Sequence, residues 1–186
     1  MKLLKNRKIA ILIAVIVMIF TMLFGVHRSL SRLAKDVEDM FYDGVPIEGT
    51  NETWPSINQH LGNLTQSILD TSSMFANHEE LSGEAEAMTI ARRSFMDADS
   101  ITDKYSAYQD IQKTSIVFIE KAETFMLYER ELITLLDFQT VFRGATRAIQ
   151  NSEYNERARG FMDEASFIAV LLKPLVFVTS PQVFDT

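Results

Sequence analysis

The side chains able to do chemistry in this sequence are three histidines and several closely spaced carboxylates. His78-Glu79-Glu80, with His60 eighteen residues upstream, offers the nitrogen and oxygen ligands a metal takes. No two histidines stand four apart, however, and that is the spacing that puts two imidazoles on one helix face. The triplet falls where a helical pattern runs out, so it reads as a solvated helix end. Asp97, Asp99 and Asp103 resemble a calcium loop, yet no glycine occupies the sixth position and Tyr108 stands where a bidentate Glu is needed. Glu129 with Glu131 and Asp163 with Glu164 form carboxylate pairs at a spacing routine on exposed helix faces. Tyr105, Tyr108, Phe118 and Phe125 could line a cavity between helices, but an aromatic stripe at helical spacing reads first as core. There is no G-x-S-x-G elbow, phosphate-cradling glycine loop or dinucleotide fingerprint. The sequence therefore assigns no catalytic, cofactor-binding or metal-binding residue, and the expectation is a protein that is not an enzyme.

The elements that would position any site begin with residues 9–26, which carry no charge and are interrupted only by Thr21 and Gly25. As a helix this stretch covers about 27 Å, close to the hydrocarbon thickness of a bilayer. A single segment in lipid must satisfy its backbone internally, so a transmembrane helix is the expectation. Residues 1–8, with Lys2, Lys5, Arg7 and Lys8, also resemble the start of a secretory signal. The apolar run is longer than a signal core and no small-x-small pair precedes a cut near Gly25, which favours a retained anchor. Four basic residues precede the span and Arg28, Arg32 and Lys35 follow it, so the expected topology is N-terminus cytoplasmic and the C-terminal domain extracytoplasmic.

Residues 27–186 are the size of one domain, and few glycines and prolines favour long helices. Leu30, Leu33, Val37 and Met40 or Phe41 extend the spanning helix past the bilayer at steps of three and four. Residues 43–53 read as a loop, and Thr53 as the N-cap of a helix that begins with Trp54 and Pro55. That helix runs through Ile57, Leu61, Leu64, Ile68 and Phe75 and ends at residues 78–83. The next sixty residues, 84–143, contain neither Gly nor Pro. Ala85, Met88, Ala91, Phe95, Ala98, Ile101, Tyr105, Tyr108, Ile111, Ser115, Phe118 or Ile119, Ala122 and Phe125 or Met126 form a bundle or coiled-coil seam. An unbroken rod of that length would be about 90 Å long, so a turn is expected, at residues 127–131. Residues 99–103 hold a cap signal, but the apolar register passes through them undisturbed. From about Leu132 a further stripe runs through Leu135, Phe138, Phe142, Ala145, Ile149, Tyr154, Ala158, Phe161, Ala165 and Ile168. Residues 167–186 are too interrupted by Lys173 and Pro174 for a second span and should dock on the bundle or lie near lipid.

All 25 acidic residues lie at or beyond Asp36, and against the fourteen basic residues that follow the span they leave the domain at −11. Such a surface repels phosphate backbones, so nucleic acid is excluded as a partner. With no cysteine the chain has no disulfide, thiolate chemistry or lipid-modified cysteine.

Three local matches make the chain similar to the LemA family of bacterial membrane-anchored helical proteins. Phe75-Ala76-Asn77-His78-Glu79 resembles its aromatic-Ala-x-His-Glu motif, Ala91-Arg92-Arg93-Ser94-Phe95 its Ala-Arg followed by an aromatic, and Tyr154-Asn155 its Tyr-Asn pair. The likeness spans residues 57–184, with Pro181 and Phe184 resembling the family's Pro-x-x-aromatic close. Departures are Phe161-Met162 where the family repeats Tyr-Asn, the lack of a proline near Met126, and residues 43–53, which look like an insertion. The resemblance implies an anchored, extracytoplasmic helical bundle and carries over no reaction.

The expected fold is all-α: an N-terminal transmembrane helix followed by an antiparallel bundle of three to four long helices. The expected function is that of a non-enzymatic scaffold or adaptor in the cell envelope, with membrane lipid and another membrane or envelope protein as partners and homo-oligomerisation open. The competing expectation is a sensory or ligand-binding bundle, against which stands the lack of any cytoplasmic part able to carry an output. Tyr154 is expected to pack its ring at the edge of the stripe with its hydroxyl on a polar partner, and Asn155 to bond to a neighbouring helix.

Overall fold

The computed structural model describes residues 7–172 and 180–184, with side chains for 7–163 and 180–184. The all-α expectation holds. Among the described residues six helices, α1 (Arg7–Asp43), α2 (Ile57–Phe75), α3 (Ser82–Met96), α4 (Ile101–Ala122), α5 (Glu129–Gln150) and α6 (Glu153–Leu172), follow one another. A small antiparallel ribbon interrupts them between α1 and α2, in which β1 (Val45–Pro46) pairs with β2 (Thr53–Trp54).

α1 is continuous across the whole apolar run and the polar turns beyond it, as the three- and four-residue steps predict. It is long and apolar enough to cross a membrane. It changes character along its length. From Ile11 to Phe24 all its large side chains but Leu23 are uncovered, whereas Leu30, Val37 and Phe41 are buried. Gly44 ends it: its φ of +84° lies in the left-handed region, and its N–H reaches the Met40 carbonyl at 3.1 Å. A Cβ at Gly44 would sit 2.0 Å from the Trp54 carbonyl oxygen, so only glycine lets the chain leave α1 beneath the ribbon.

Two expectations need correcting here. Residues 43–53 are not an open loop but the ribbon, closed by Ile47 N–H to Glu52 O (2.9 Å) and by Gly49 at φ +79°. Thr53 therefore lies in a strand and does not cap α2. Ser56 does, accepting from the Gln59 N–H at 3.0 Å, two residues beyond the last paired strand residue.

The sixty-residue seam is broken twice. One turn, residues 123–128, overlaps the expected 127–131 at two residues and lies earlier, because α5 already begins at Glu129 under the Glu131 cap. The other, residues 97–100, is where the register argued for continuity. Ser100 caps α4, accepting from the Asp103 N–H at 3.1 Å and donating to the Asp103 carboxylate at 2.6 Å. The stripe crosses this turn unbroken because α3 and α4 present their residues to the same core from either side of it. A period of three to four reports which side faces the core and is blind to a four-residue reversal. The later stripe likewise bends at Asn151 and Ser152, between α5 and α6. No rod of coiled-coil length survives: α3, α4 and α5 have 15, 22 and 22 residues.

α3 lies against both α2 and α4, α2 also lies against α5, and α4 meets α5 more briefly. Short connections make successive members antiparallel, giving a four-helix head. Its core runs from Phe41 and Ile57 through Ile68, Met88, Phe95 and Ile111 to Phe118 and Phe138. Arg92 Nε donates to the Thr65 carbonyl at 3.0 Å, and Lys121 Nζ to Glu84 Oε1 at 2.7 Å, tying α3 to its two neighbours.

α6 does not double back along α5; it packs against α1. The Tyr154 ring meets that of Phe41 at 5.6 Å, so α6 begins where α1 ends, and the two run antiparallel. At about 1.5 Å per residue α6 carries the chain about 30 Å from the head toward the apolar half of α1. A two-helix stalk therefore supports the head, and the turn at residues 123–128 lies at the tip farthest from the stalk.

Candidate functional site

The junction of stalk and head is the most elaborately built part of the molecule. Residues 180–184, which belong to no helix or strand, run along it, and Phe184 enters a box of aromatic rings. Its centroid lies 5.3 Å from Phe41, 5.1 Å from Tyr105, 5.9 Å from Tyr108 and 6.2 Å from Tyr154. These rings come from α1, α4 and α6, so one side chain of the tail holds three helices together. Asn155 reads the backbone of the same residue. Its Oδ1 accepts the Phe184 N–H at 2.8 Å, and its Nδ2 donates to the Phe184 carbonyl at 2.8 Å and to the Ile149 carbonyl, in the last turn of α5, at 2.7 Å. The Tyr154 hydroxyl donates to the Gln182 carbonyl at 2.7 Å. Every polar atom of this pair that is buried thus meets a backbone partner, which is the condition for burying an amide at all.

Burial, with Glu38 and Tyr42 nearby, pushes the Tyr154 hydroxyl well above the ordinary tyrosine value. Burial pushes Tyr108 the same way, and its hydroxyl accepts from Gln112 Nε2 at 2.9 Å. Both hydroxyls are neutral across the physiological range.

Beside this clamp opens a cleft of about 560 Å³, bounded by α1, the ribbon and the ends of α2, α5 and α6. Met40, Val45, Trp54, Pro55 and Ile57 make its wall apolar, while His60, Arg147 and Glu153 stand at its polar side. Trp54 is exposed, and partial burial holds His60 below the ordinary histidine value, so its imidazole is neutral at pH 7. Glu153 is engaged by Arg157 at 3.1 Å. The size is that of a ligand pocket.

The residues singled out from sequence are scattered. His60 lies at the junction and His78 at the opposite end of α2, where its Nδ1 accepts the Glu80 N–H at 3.2 Å and its ring packs between Phe75 and Phe125, 6.0 Å from each. Glu79 and Glu80 are exposed. Asp103 belongs to the α4 cap, with Asp97 and Asp99 exposed around it. Glu131 accepts the Tyr128 N–H at 2.9 Å and caps α5, away from exposed Glu129. Asp163 is exposed, and the Glu164 side chain lies outside the described residues. Among the described residues no three His, Cys, Asp or Glu side chains come together as metal ligands. The four aromatics do not line one cavity: Tyr105 and Tyr108 belong to the Phe184 box, while Phe118 and Phe125 lie toward the tip.

Tyr154 and Asn155 behave as expected from the sequence, with one addition: Asn155 bonds the tail as well as a neighbouring helix. Of the two residues offered for the last seam position, Phe125 packs inward and Met126 is fully exposed. The tip as a whole was not legible as a surface. There Tyr128 is 81% exposed, Ile133 53%, Leu136 51% and Leu132 46%. The available signal was four apolar residues in five positions, 132–136, more than one core-facing stripe needs. Compared with known proteins, the chain matches no family model, no curated protein and no solved structure.

Proposed function

We propose that this protein is a membrane-anchored adaptor of the cell envelope, of the kind its resemblance to the LemA family implies, with a helical head held off the membrane on a two-helix stalk. One observation carries the reading. α1 leaves Ile11, Leu12, Val17, Phe20 and Phe24 uncovered over a length that fits a bilayer, yet the same helix enters the core of the head at Val37 and Phe41. A bilayer would cover that exposed stretch, and a continuous helix would transmit its position to the head without a flexible linker. The residues that carry the resemblance support the same reading, because they have structural work: Phe75 and His78 in the α2–α3 turn, Arg92 between helices, and Tyr154, Asn155 and Phe184 in the clamp.

With Lys2, Lys5, Arg7 and Lys8 preceding the span, the head is outside the cytoplasm. Protease added to intact protoplasts should digest it; digestion only after lysis would reverse the topology. The cleft at the junction favours a second reading, a ligand-binding bundle. An apolar or amphiphilic molecule that co-purifies with the chain and is lost on Trp54→Ala would support that reading over the adaptor.

A further inference from the structure

We propose that the tip of the head, centred on Leu132, Ile133 and Leu136, docks a partner protein whose contact surface is apolar at its centre and basic at its rim. This deepens the adaptor reading and rests on it. In the first two turns of α5, Leu135 is buried at 2% exposure, which satisfies the need of the head. Leu132, Ile133 and Leu136 point elsewhere, and at spacings of three and four Leu136 adjoins both of the others. Tyr128, one turn before Leu132, and Met126 extend the patch onto the preceding turn. Five large apolar side chains are thus uncovered together at the end of the molecule farthest from the stalk. Exposed apolar clusters of this kind mark interaction surfaces.

The charges around the patch select the partner. Between residues 122 and 137 there are four carboxylates, Glu123, Glu129, Glu131 and Asp137, and one basic residue, Arg130. The nearest lysine, Lys121, is engaged by Glu84 at 2.7 Å. A second copy fits poorly: pairing two α5 helices antiparallel about Ile133 sets Glu129 of one against Asp137 of the other, and parallel pairing sets Glu129 against itself. Like charges so placed disfavour association. An anionic bilayer meets the same repulsion. A surface with Lys or Arg flanking an apolar stripe meets complementary charge and apolar area at once.

The test uses the full chain in phospholipid nanodiscs, with a photo-crosslinking residue at position 133. The probes are an amphipathic helical peptide of Leu and Lys and its Leu and Glu counterpart. The Lys peptide should bind saturably and crosslink from position 133. Leu132→Ser with Leu136→Ser should weaken it at least about tenfold, since two buried leucines are removed, and Glu129→Lys with Asp137→Lys should turn the preference toward the Glu peptide. Undiminished binding by the Ser variant would overturn the proposal. So would crosslinking to a second copy, or recruitment of vesicles of phosphatidylcholine and phosphatidylglycerol in place of the peptide. In cells, the same crosslinker is placed at Ile133 and, for comparison, at exposed Ile90 on α3. An Ile133 adduct whose captured segment has basic residues flanking apolar ones supports the proposal. Adducts at Ile90 alone would sink the tip and leave the adaptor reading standing, and none at either position would remove both.

Discussion

At the junction, Phe41, Tyr105, Tyr108 and Tyr154 close around Phe184, and the tail that brings it there is fixed through its own backbone by Asn155 and Tyr154. At the tip, Tyr128, Leu132, Ile133 and Leu136 are of similar apolar character and nothing in the chain covers them among the described residues. Both ends of the head gather large apolar side chains where helices stop. The junction buries them with a segment from far along the sequence and bonds the Phe184 N–H and carbonyl and the Gln182 carbonyl. The tip satisfies only its own core through Leu135 and caps α5 with Glu131. Stability is thus concentrated at one end, and surface free to change without unfolding the head lies at the other.

The sharpest contrast comes from removing the tail's anchor. Phe184→Ala empties a box lined by rings of three helices and should cost about 3 to 5 kcal/mol, measured by denaturant unfolding of the full chain in mild detergent; a loss under about 1 kcal/mol would mean the tail is not part of the fold. Asn155→Ala deletes three hydrogen bonds and strands the buried Phe184 N–H and carbonyl, for about 3 kcal/mol. If it proved neutral, water would have to reach those groups and the clamp would be open.

Tyr154→Phe keeps the ring and loses one bond to Gln182, for about 0.5 to 1.5 kcal/mol. It also has a pH signature. The folded-state value lies above the unfolded value of 10.0, so the neutral hydroxyl is favoured by folding. Its contribution is whole below that pH and is lost as pH rises further. Above about pH 10 the parent should lose stability more steeply than Tyr154→Phe. Tyr108 shifts in the same direction, so the variant's slope is reduced and not flat. Identical alkaline slopes would place Tyr154 in water.

The smallest effect belongs to the tip. Leu132→Ser, at a site 46% exposed, should change unfolding by no more than about 0.5 kcal/mol. A loss of about 2 kcal/mol or more would mean that Leu132 is core and that the two ends are alike.

The sequence by itself determined the spanning-length apolar run, the all-α class, the buried stripe of Met88, Phe95, Tyr108, Ile111 and Phe118, and the structural character of Tyr154 and Asn155. Each is local: length against bilayer thickness, or a three- to four-residue period that any helix obeys. Tertiary structure alone decided where the stripes reverse. The same period crosses the Asp97–Ser100 turn and the Asn151–Ser152 bend because both flanking helices face one core. It also decided what Thr53 and Trp54 pair with, since a strand so short exists only where Gly44 lets Val45 lie beside Trp54. Periodicity could not separate Leu135 from Leu132 and Leu136 at the tip, because all are apolar within two turns, and only the position of the neighbouring helices determines which of them is covered.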